Sequence, residues 1–379
     1  MKRIILLLET SRAFGRQLIT GIARYSRLHG PWSFYKEPTD LKSSIPHLTN
    51  WNPDGIIMRD SLITTELLKL RIPTILAIHD SKYPKNLPVI KTDSHSIARM
   101  ASDHLLEKGL RNFAYCGFDY YDWSEERKQY FNQFNKEAGF TTYNFISPKS
   151  NRRGNWENEQ EHVSKWIKSL PKPIGVFACN DDRGQHILEV CKTLNLKVPE
   201  EVAVIGVDND PLVCDIGDPP LTSIALNVES AGYRAASLMD YMISAKKASR
   251  RHILVSPTHV VQRQSSDILA VNDPEVAQAI NYIRQNAKNK ILVKDVVQTT
   301  CLSRRTLERR FKNAIHRSIY GEIRRVRIEL ISKMLIDTDL SISQISALFN
   351  FTDTEHISRY FKIEKGIGLR EFRKLHQSC

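Results

Sequence analysis

The chain has 379 residues, 41% of them hydrophobic and 26% charged, which is typical of a globular protein that buries full cores. This length predicts two or three domains. The first apolar run, residues 4–8, meets Glu9 at once and is too short for a signal peptide, and no run approaches the roughly 18 apolar residues of a membrane span. We therefore expect a cytoplasmic protein without a membrane partner, which excludes a transport-type binding protein.

The cysteines are few and dispersed. There are six, without a Cys-x-x-Cys pair: Cys116, Cys179, Cys191, Cys214, Cys301 and Cys379. This pattern suits a reducing compartment and argues against a disulfide scaffold or a zinc site. We expect neither a metal nor a cofactor.

Positive charge is concentrated in the last third of the chain. The net charge is +13, and residues 271–379 hold 20 Lys and Arg against 12 Asp and Glu, so this segment carries +8 and the remainder +5. A basic segment favours a polyanionic partner, first of all double-stranded DNA. Charge alone fits a basic soluble domain equally well.

Up to about Ser265, short apolar runs alternate with amphipathic stretches. The runs have the length and composition of buried strands and lie at residues 3–8, 55–58, 74–78, 113–117, 174–179 and 202–207. Helical spacing occurs at residues 14–28, 94–108, 127–138, 182–194 and 230–243. Such alternation predicts doubly wound parallel sheets, and about 265 residues exceed one sheet. We predict a two-lobed α/β domain at residues 1–265.

The pattern changes after Ser265. From Glu275 onward, apolar residues recur with helical spacing and no strand-like run stands out. Asp273 and Pro274 indicate a turn followed by a helix with proline at its first position. We place a linker at residues 266–274 and an all-α domain at residues 275–379.

The all-α domain contains two units of matching spacing, the first at residues 291–311. Ser303 is suited to cap a helix in which Leu307 and Phe311 face the core together. The opposite face carries Arg304, Arg305, Glu308, Arg309 and Lys312. Arginines at the N-terminal end of an exposed helix are typical of a helix-turn-helix unit that reads the major groove.

The second unit spans residues 341–361. Ser341 with Gln344, and Thr352 with Glu355, each fit a capping box and predict two helix starts. The face of the second helix that we expect to be exposed holds Asp353, Thr354, Glu355, His356, Arg359 and Lys362.

The turn of the second unit and the helix between the units complete the pattern. Leu348 is predicted to be buried, and Asn350 to adopt a left-handed backbone, which Asn tolerates well. The two reading helices are predicted to begin 49 residues apart, at Ser303 and Thr352. A connecting helix of about 20 residues spans roughly 30 Å, close to one turn of B-DNA. The alternative is a helical bundle that does not bind DNA.

This segment resembles the AraC family of regulators over about 100 residues. The resemblance rests on Leu302-Ser303-x3-Leu307-x3-Phe311-Lys312, Arg327 with Met334-Leu335, Ile342-x2-Ile345, Phe351, Phe361-Lys362 and Glu371-Phe372-Arg373. Family members usually carry Gly where this chain has Cys301 and Asn350, and Pro where it has Leu369. We predict that DNA is contacted by Ser303, Arg304, Arg305, Arg309, Thr354, Glu355, His356 and Arg359.

In open parallel sheets, ligands bind beyond the carboxyl ends of the strands, and polar residues follow most of the predicted strands here. Carboxylates, amides and one guanidinium at a common rim suit a neutral polyol, whose hydroxyls both donate and accept. Aromatic faces for the apolar side of a sugar are offered by Phe14, Trp123 and Trp156. Asp181 and Asp182 are expected to cap the helix that follows them.

This segment resembles the periplasmic-binding-protein-like effector domain of the LacI family. The matching stretches are Leu8-Glu9-Thr10-Ser11, Glu126-Arg127-x3-Phe131, Asn180-Asp181, residues 204–209 and residues 220–224. The resemblance implies sugar contacts from Ser11, Arg127, Asn180 and Asp208, with looser matches at Asp80 and Trp156. Our candidate ligand site comprises Ser11, Phe14, Arg16, Asp80, Arg127, Trp156, Asn180 and Asp208. Arg16 is either a ligand contact or a salt-bridge partner on the first helix, and Arg127 is predicted to open its helix.

The LacI-type sensor is followed here by an AraC-type domain, and this order resembles the family of xylose operon regulators. Supporting stretches are residues 12–17, 186–191 and 262–267. The resemblance implies a homodimeric, pentose-responsive activator that contacts RNA polymerase. We expect sugar to close the two lobes and to move residues 260–274. Differences in loops such as residues 78–81 leave the sugar open.

Two other classes remain. An enzyme is disfavoured because the sequence has no P-loop, GxSxG, HExxH or post-strand GxGxxG motif. A regulator whose first domain only dimerises and binds no small molecule stays open.

Overall fold

The computed structural model describes residues 1–36, 51–60, 64–77, 87–119, 121–145, 156–245, 251–268, 273–315 and 317–376. They form two compact units. The first consists of Met1–Leu105 and Arg111–Ile268, and the second of Leu106–Leu110 and Leu269–Cys379. The first unit is α/β and the second is helical, which confirms the predicted fold class.

The first lobe of the α/β unit is built on a six-stranded parallel sheet. In spatial order its strands are β11 (Ile253–Val255), β5 (Val89–Thr92), β4 (Thr74–Ala77), β3 (Gly55–Arg59), β1 (Lys2–Leu7) and β2 (Trp32–Lys36). Its helices are α1 (Ala13–His29), α2 (Thr64–Lys69) and α8 (Val228–Ala245), and α1 packs along α8.

The second lobe has the same design. Its strands are, in spatial order, β12 (Pro257–Val261), β10 (Thr222–Leu226), β9 (Val202–Val207), β8 (Ile174–Ala178), β6 (Phe113–Cys116) and β7 (Thr142–Asn144), with only β12 antiparallel. Its helices are α4 (Asp122–Glu137), α5 (Trp156–Ser169), α6 (Asp181–Thr193) and α7 (Pro211–Cys214), and α3 (Ser94–Glu107) leads into it from the first sheet.

Burial explains which strands the sequence reveals. Every residue of β8 and β9 is buried, because helices cover both faces of a parallel sheet. Such strands read as continuous apolar runs, and all six predicted strands are present within two residues. The strands missed by the prediction have three to five residues, and most are polar or partly exposed, as in β7 and β12.

The chain crosses between the lobes three times, near Asp93, Asn227 and Ser256. The crossings are hydrogen-bonded to one another: the Asp93 N–H donates to Val255 O at 2.9 Å, and the Asn227 N–H donates to Ser256 O at 3.0 Å. Three adjacent connections form a hinge about which two rigid lobes can close.

The second unit contains seven helices and no strand among its described residues. They are α9 (Pro274–Gln285), α10 (Val293–Gln298), α11 (Arg304–Ile315), α12 (Ile319–Asp337), α13 (Ile342–Leu348), α14 (Thr354–Lys365) and α15 (Leu369–His376). One hydrophobic core joins α9, α10 and α11 to the first half of α12, and a second joins α13, α14 and α15 to its second half. Both helix-turn-helix units therefore share α12.

Local polar contacts fix the helix starts of this unit. Asp273 caps α9, with Pro274 at the first helical position, and Ser341 with Gln344 forms the predicted capping box. The predicted Thr352–Glu355 box is wrong, because Asp353 caps α14 by accepting from the His356 N–H at 2.6 Å.

The turn of the second unit also differs in part from expectation. Asn350 has φ of 54°, which confirms the left-handed backbone. Leu348 is 43% exposed, and Phe349 is buried in its place, so the predicted apolar face was shifted by one residue. None of the described helices is both long and apolar enough to cross a membrane.

Candidate functional sites in the two units

A cavity of about 470 Å³ lies between the two lobes of the α/β unit. It opens at the carboxyl ends of β1, β8 and β9, where parallel sheets bind ligands. Its lining comes from both lobes and consists of Leu8, Glu9, Arg12, Phe14, Gly15, Leu18, Arg59, Ala77, Ile90, Lys91, Thr92, Phe118, Tyr121, Asp122, Trp123, Glu126, Arg127, Asn180, Asp182 and Asp208.

The structure brings half of the sequence-predicted ligand residues to this cavity. Phe14, Arg127, Asn180 and Asp208 line it, as does the aromatic candidate Trp123. Asp80 and the side chain of Trp156 lie outside the described residues.

Ser11 and Arg16, the other two candidates, are not among the lining residues. The Ser11 hydroxyl donates to Glu9, and the Arg16 guanidinium donates to Ser11 O at 2.8 Å and to Asp210 Oδ1 at 2.7 Å. Arg16 thus has the salt-bridge geometry that the sequence offered as one of its two roles, and it joins the lobes.

Arg127 is held on the second lobe and reaches the first. It lies in the second turn of α4, which begins at Asp122, so the prediction that Arg127 opens this helix is wrong. Its guanidinium donates to Cys179 O and, at 3.2 Å, to Thr92 Oγ1 at the end of β5. The side chain is buried, and its Nε has no hydrogen-bond partner among the described residues. Arg127 therefore keeps one buried donor that the described residues leave unsatisfied.

Asp208 follows β9 in an unusual backbone conformation. Its φ is 103°, which a residue other than glycine rarely adopts and which concentrates at functional sites. Burial raises the pKa of Asp208 to about 6, although the nearby Arg127 charge opposes the rise. A carboxylate in this state gains from hydroxyl donors that a ligand brings.

The carboxylates around Asp208 have distinct roles. Asn180 caps α6 by accepting from the Arg183 N–H at 3.0 Å, so the expectation that Asp181 and Asp182 cap it is wrong. Asp181 is buried, and burial together with the Asp208 charge raises its pKa well above the usual value. Asp182 instead accepts from Arg12 Nε of the first lobe at 2.8 Å.

Sequence reasoning missed several lining residues, among them Arg59, Thr92, Phe118 and Tyr121. Arg59 pairs with Glu9 inside the first lobe. Thr92 ends a strand of only four residues, which gave too short a signal. The density of aromatic residues between Phe118 and Trp123 was visible in the sequence and could have indicated a cavity wall.

The first helix-turn-helix unit is formed by α10 and α11. Leu307 and Phe311 are fully buried, and the Ser303 hydroxyl accepts from the Thr306 N–H at 3.4 Å. The DNA candidates Ser303, Arg304, Arg305 and Arg309 are all exposed on α11 or at its start. Arg304 pairs with Glu308 one turn later.

The second helix-turn-helix unit is formed by α13 and α14. Ile357 and Phe361 are fully buried, while the DNA candidates Thr354, Glu355, His356 and Arg359 are exposed. The second helices of the two units, α11 and α14, begin 50 residues apart, and the 19-residue α12 between them spans about 28 Å. Within one helical unit, two exposed helices are thus linked by a rod of nearly one DNA turn.

Arg327 of α12 ties the two helix-turn-helix units together. Its side chain is 6% exposed and donates to Ala287 O at 3.0 Å, to Asn289 O and to Phe349 O at 2.7 Å. These carbonyls belong to the end of the first core and to the turn of the second. The sequence identified Arg327 only as part of a family pattern, and its contacts explain why the position needs a forked donor.

Three family models match successive parts of the chain. A XylR N-terminal domain matches residues 3–95, a periplasmic binding protein-like domain residues 102–266, and a helix-turn-helix domain residues 296–375.

Relatives match over the full length. The xylose operon regulatory protein of Escherichia coli K12 is 30% identical, over 99% of this chain and 97% of that protein. That of Haemophilus influenzae Rd is 32% identical, over 98% of both. A solved structure described as the xylose-binding transcription activator xylR is similar with a TM-score of 0.62 and 29% identity, over 99% of this chain and 98% of that one.

A two-lobed binding fold and paired helix-turn-helix units define a DNA-binding transcription regulator, and the relatives are regulators rather than enzymes. This chain belongs to the family of xylose operon regulatory proteins.

Proposed function

We propose that this regulator binds a neutral pentose, D-xylose first, in the interlobe cavity and activates pentose-use genes in response. The observation that carries the proposal is the lining itself. Asp208, Asn180 and Arg127 offer acceptors and donors at one end, and aromatic rings offer apolar surface beside them. The names of the full-length relatives support the same ligand.

The ion pairs of the lining favour a neutral ligand over a phosphorylated one. Arg12 is bound to Asp182, Arg59 to Glu9, and Arg127 to Thr92 and a carbonyl. A phosphate dianion would have to displace these partners, whereas sugar hydroxyls need only single donors and acceptors. Neutral sugars are therefore the class that the cavity suits best.

Contacts between the lobes give the response its physical basis. Asp210 of the second lobe accepts from the Ala13 N–H of the first lobe at 2.6 Å and from Arg16 at 2.7 Å. A sugar that contacts Phe14 on one lobe and Asp208 on the other adds to these contacts only when the lobes are closed. It shifts the equilibrium by its differential affinity for the closed state.

The output is DNA binding by two exposed helices per chain. In our proposal residues 1–265 sense the sugar, residues 266–274 link, and residues 275–379 bind DNA. A cytoplasmic homodimer would place paired units on repeated half-sites beside RNA polymerase. Closure of the lobes would alter the fit to those half-sites through residues 260–274.

The test is the melting temperature of the purified chain against pentoses, hexoses and their phosphates. We expect a saturable rise with D-xylose, lost in Asp208→Ala and in Arg127→Ala and retained in the surface variant Lys192→Ala. A rise in melting temperature with sugar phosphates alone would show that the ligand is a phosphorylated sugar and not a neutral one. No rise with any sugar, together with a stable dimer, would favour the purely dimerising sensor.

A further inference from the structure

Three aromatic side chains form one wall of the cavity, which we call the aromatic wall: Phe118, Tyr121 and Trp123. Tyr121 and Trp123 are stacked with ring centroids 5.6 Å apart, and Tyr121 meets Phe118 edge-on at 6.0 Å. All three line the cavity. Any ligand that fills it has this wall as an apolar boundary.

An arginine stands behind each end of the aromatic wall. The Arg127 guanidinium carbon lies 4.7 Å from the Trp123 ring centroid, and that of Arg183 lies 4.2 Å from the Phe118 ring centroid. Arg127 also lines the cavity, whereas Arg183 does not. Arg183 therefore touches the wall without belonging to the lining.

Burial of the Arg183 side chain in α6 is energetically unfavourable. Its side chain is 0% exposed, and Nη2 donates to Glu159 Oε1 at 2.8 Å and to Gly117 O at 3.3 Å. Nε and Nη1 are buried without a hydrogen bond in the described part of the chain. A buried guanidinium with unused donors is destabilising relative to an apolar side chain of similar size. Packing alone therefore does not explain Arg183.

We infer that Arg183, held by Glu159, is a positioning residue that fixes Phe118 in the aromatic wall and so determines ligand affinity and selectivity. The planar guanidinium lies against the Phe118 ring and binds the carbonyl of the preceding residue, so it restrains both side chain and backbone. Lys can supply the charge but not the flat contact. The inference rests on the proposed sugar site.

The experiment is a double-mutant cycle between Arg183→Lys and Phe118→Leu. Affinities for D-xylose and D-glucose are measured by calorimetry in each single variant and in the double variant. Arg99→Lys is the matched control, because Arg99 lies 3.8 Å from the Phe134 ring and pairs with Glu137 away from the cavity. We expect Arg183→Lys to weaken D-xylose binding about five- to tenfold and to reduce the ratio of the D-xylose affinity to the D-glucose affinity.

Coupling identifies the route of the effect. If Arg183 acts through Phe118, the double variant binds D-xylose no more weakly than Phe118→Leu alone. Additive losses, or unchanged affinity in Arg183→Lys, would overturn the inference. If Arg183→Lys does not fold, Arg183→Met with Glu159→Gln replaces the buried pair by neutral groups and is compared with Phe118→Leu in the same way.

A readout without ligand separates this inference from the proposed function. Fluorine NMR of fluorophenylalanine-labelled protein, with the Phe118 resonance assigned by Phe118→Leu, reports the ring directly. We expect Arg183→Lys to shift or broaden that resonance and Arg99→Lys to leave it unchanged. An unmoved Phe118 resonance contradicts the positioning role even if no sugar binds, whereas a moved resonance without sugar binding contradicts only the sugar.

Discussion

The two units handle their polar side chains in opposite ways. In the α/β unit, buried polar residues at the cavity bind partners in the other lobe, as Arg127 binds Thr92 and Asp210 binds Arg16. In the helical unit the candidate DNA contacts are exposed on α11 and α14, and the buried Arg327 donates its hydrogen bonds to backbone carbonyls.

This contrast follows from what each unit must recognise. A small ligand is enclosed, so its site is assembled from loops far apart in sequence and is complete only when two lobes meet. DNA is larger than the domain, so the side chains that contact it must lie on the domain surface, and rigid packing sets their spacing. Disturbing the sensor should therefore change affinity for a ligand, whereas disturbing the helical unit should separate stability from DNA contact.

The largest effect is expected from Arg327→Met. The change leaves three backbone carbonyls without their donor and removes the hydrogen bonds that connect the two helix-turn-helix units. We expect the free energy of unfolding to fall by about 2–4 kcal/mol. Denaturant unfolding measures this cost, and a gel-shift titration should show loss of DNA binding while sugar-induced stabilisation persists. Lost DNA binding with unchanged stability would instead make Arg327 a direct DNA contact.

The next largest effect is expected from the exposed arginines of α11. Arg305→Ala and Arg309→Ala should each weaken binding to the operator by about 1–3 kcal/mol, while the melting temperature hardly changes. Lys333→Ala removes an exposed charge from α12 and serves as the control for general electrostatics. If all three variants weaken binding equally at low salt, the two arginines contact phosphates rather than bases.

The same contrast explains what the sequence could predict. Cores and exposed faces of α11 and α14 follow from local spacing, so Leu307, Phe311 and the candidate DNA residues lie where the pattern put them. In the sensor, the pattern placed Asp208 and Asn180 at strand ends.

The same local pattern could not show that Asp210 accepts hydrogen bonds from Ala13 and Arg16 of the first lobe, because these residues lie about 200 positions away in the chain. Arg59 was missed because its partner, Glu9, lies 50 positions away in the chain. Helix caps failed by one residue at Asp353 and Asn180, since neighbouring polar residues compete for one cap.

A smaller effect is expected from pH in the sensor. Burial raises the pKa of Asp208 to about 6, so its ionised form is disfavoured in the free protein and its contribution to stability falls as pH rises from about 4 to 6. Sugar hydroxyls and Arg127 favour the carboxylate, so xylose affinity should be highest above pH 6 and fall by up to about tenfold per pH unit below it. Calorimetry across pH 5–8 measures this slope.

Asp208→Asn is the control for this pH dependence, because its side chain cannot titrate. We expect the slope to disappear in that variant, with weaker but pH-independent binding. A slope of the same size in Asp208→Asn would assign the titration to the neighbouring Asp181 or Asp182, whose pKa values are also raised by burial.

The smallest effect is expected at the start of α14, where Asp353 and Thr352 are two adjacent candidates for the N-cap. Asp353 accepts from the His356 N–H, and this hydrogen bond lowers the pKa of Asp353, so its cap is present at neutral pH and is lost as pH falls through that lowered value. Asp353→Ala should lower the melting temperature of the helical unit by a few degrees, and Thr352→Ala by less. Calorimetric scans of the two variants decide between them, and a larger loss in Thr352→Ala would restore the capping box that the sequence predicts.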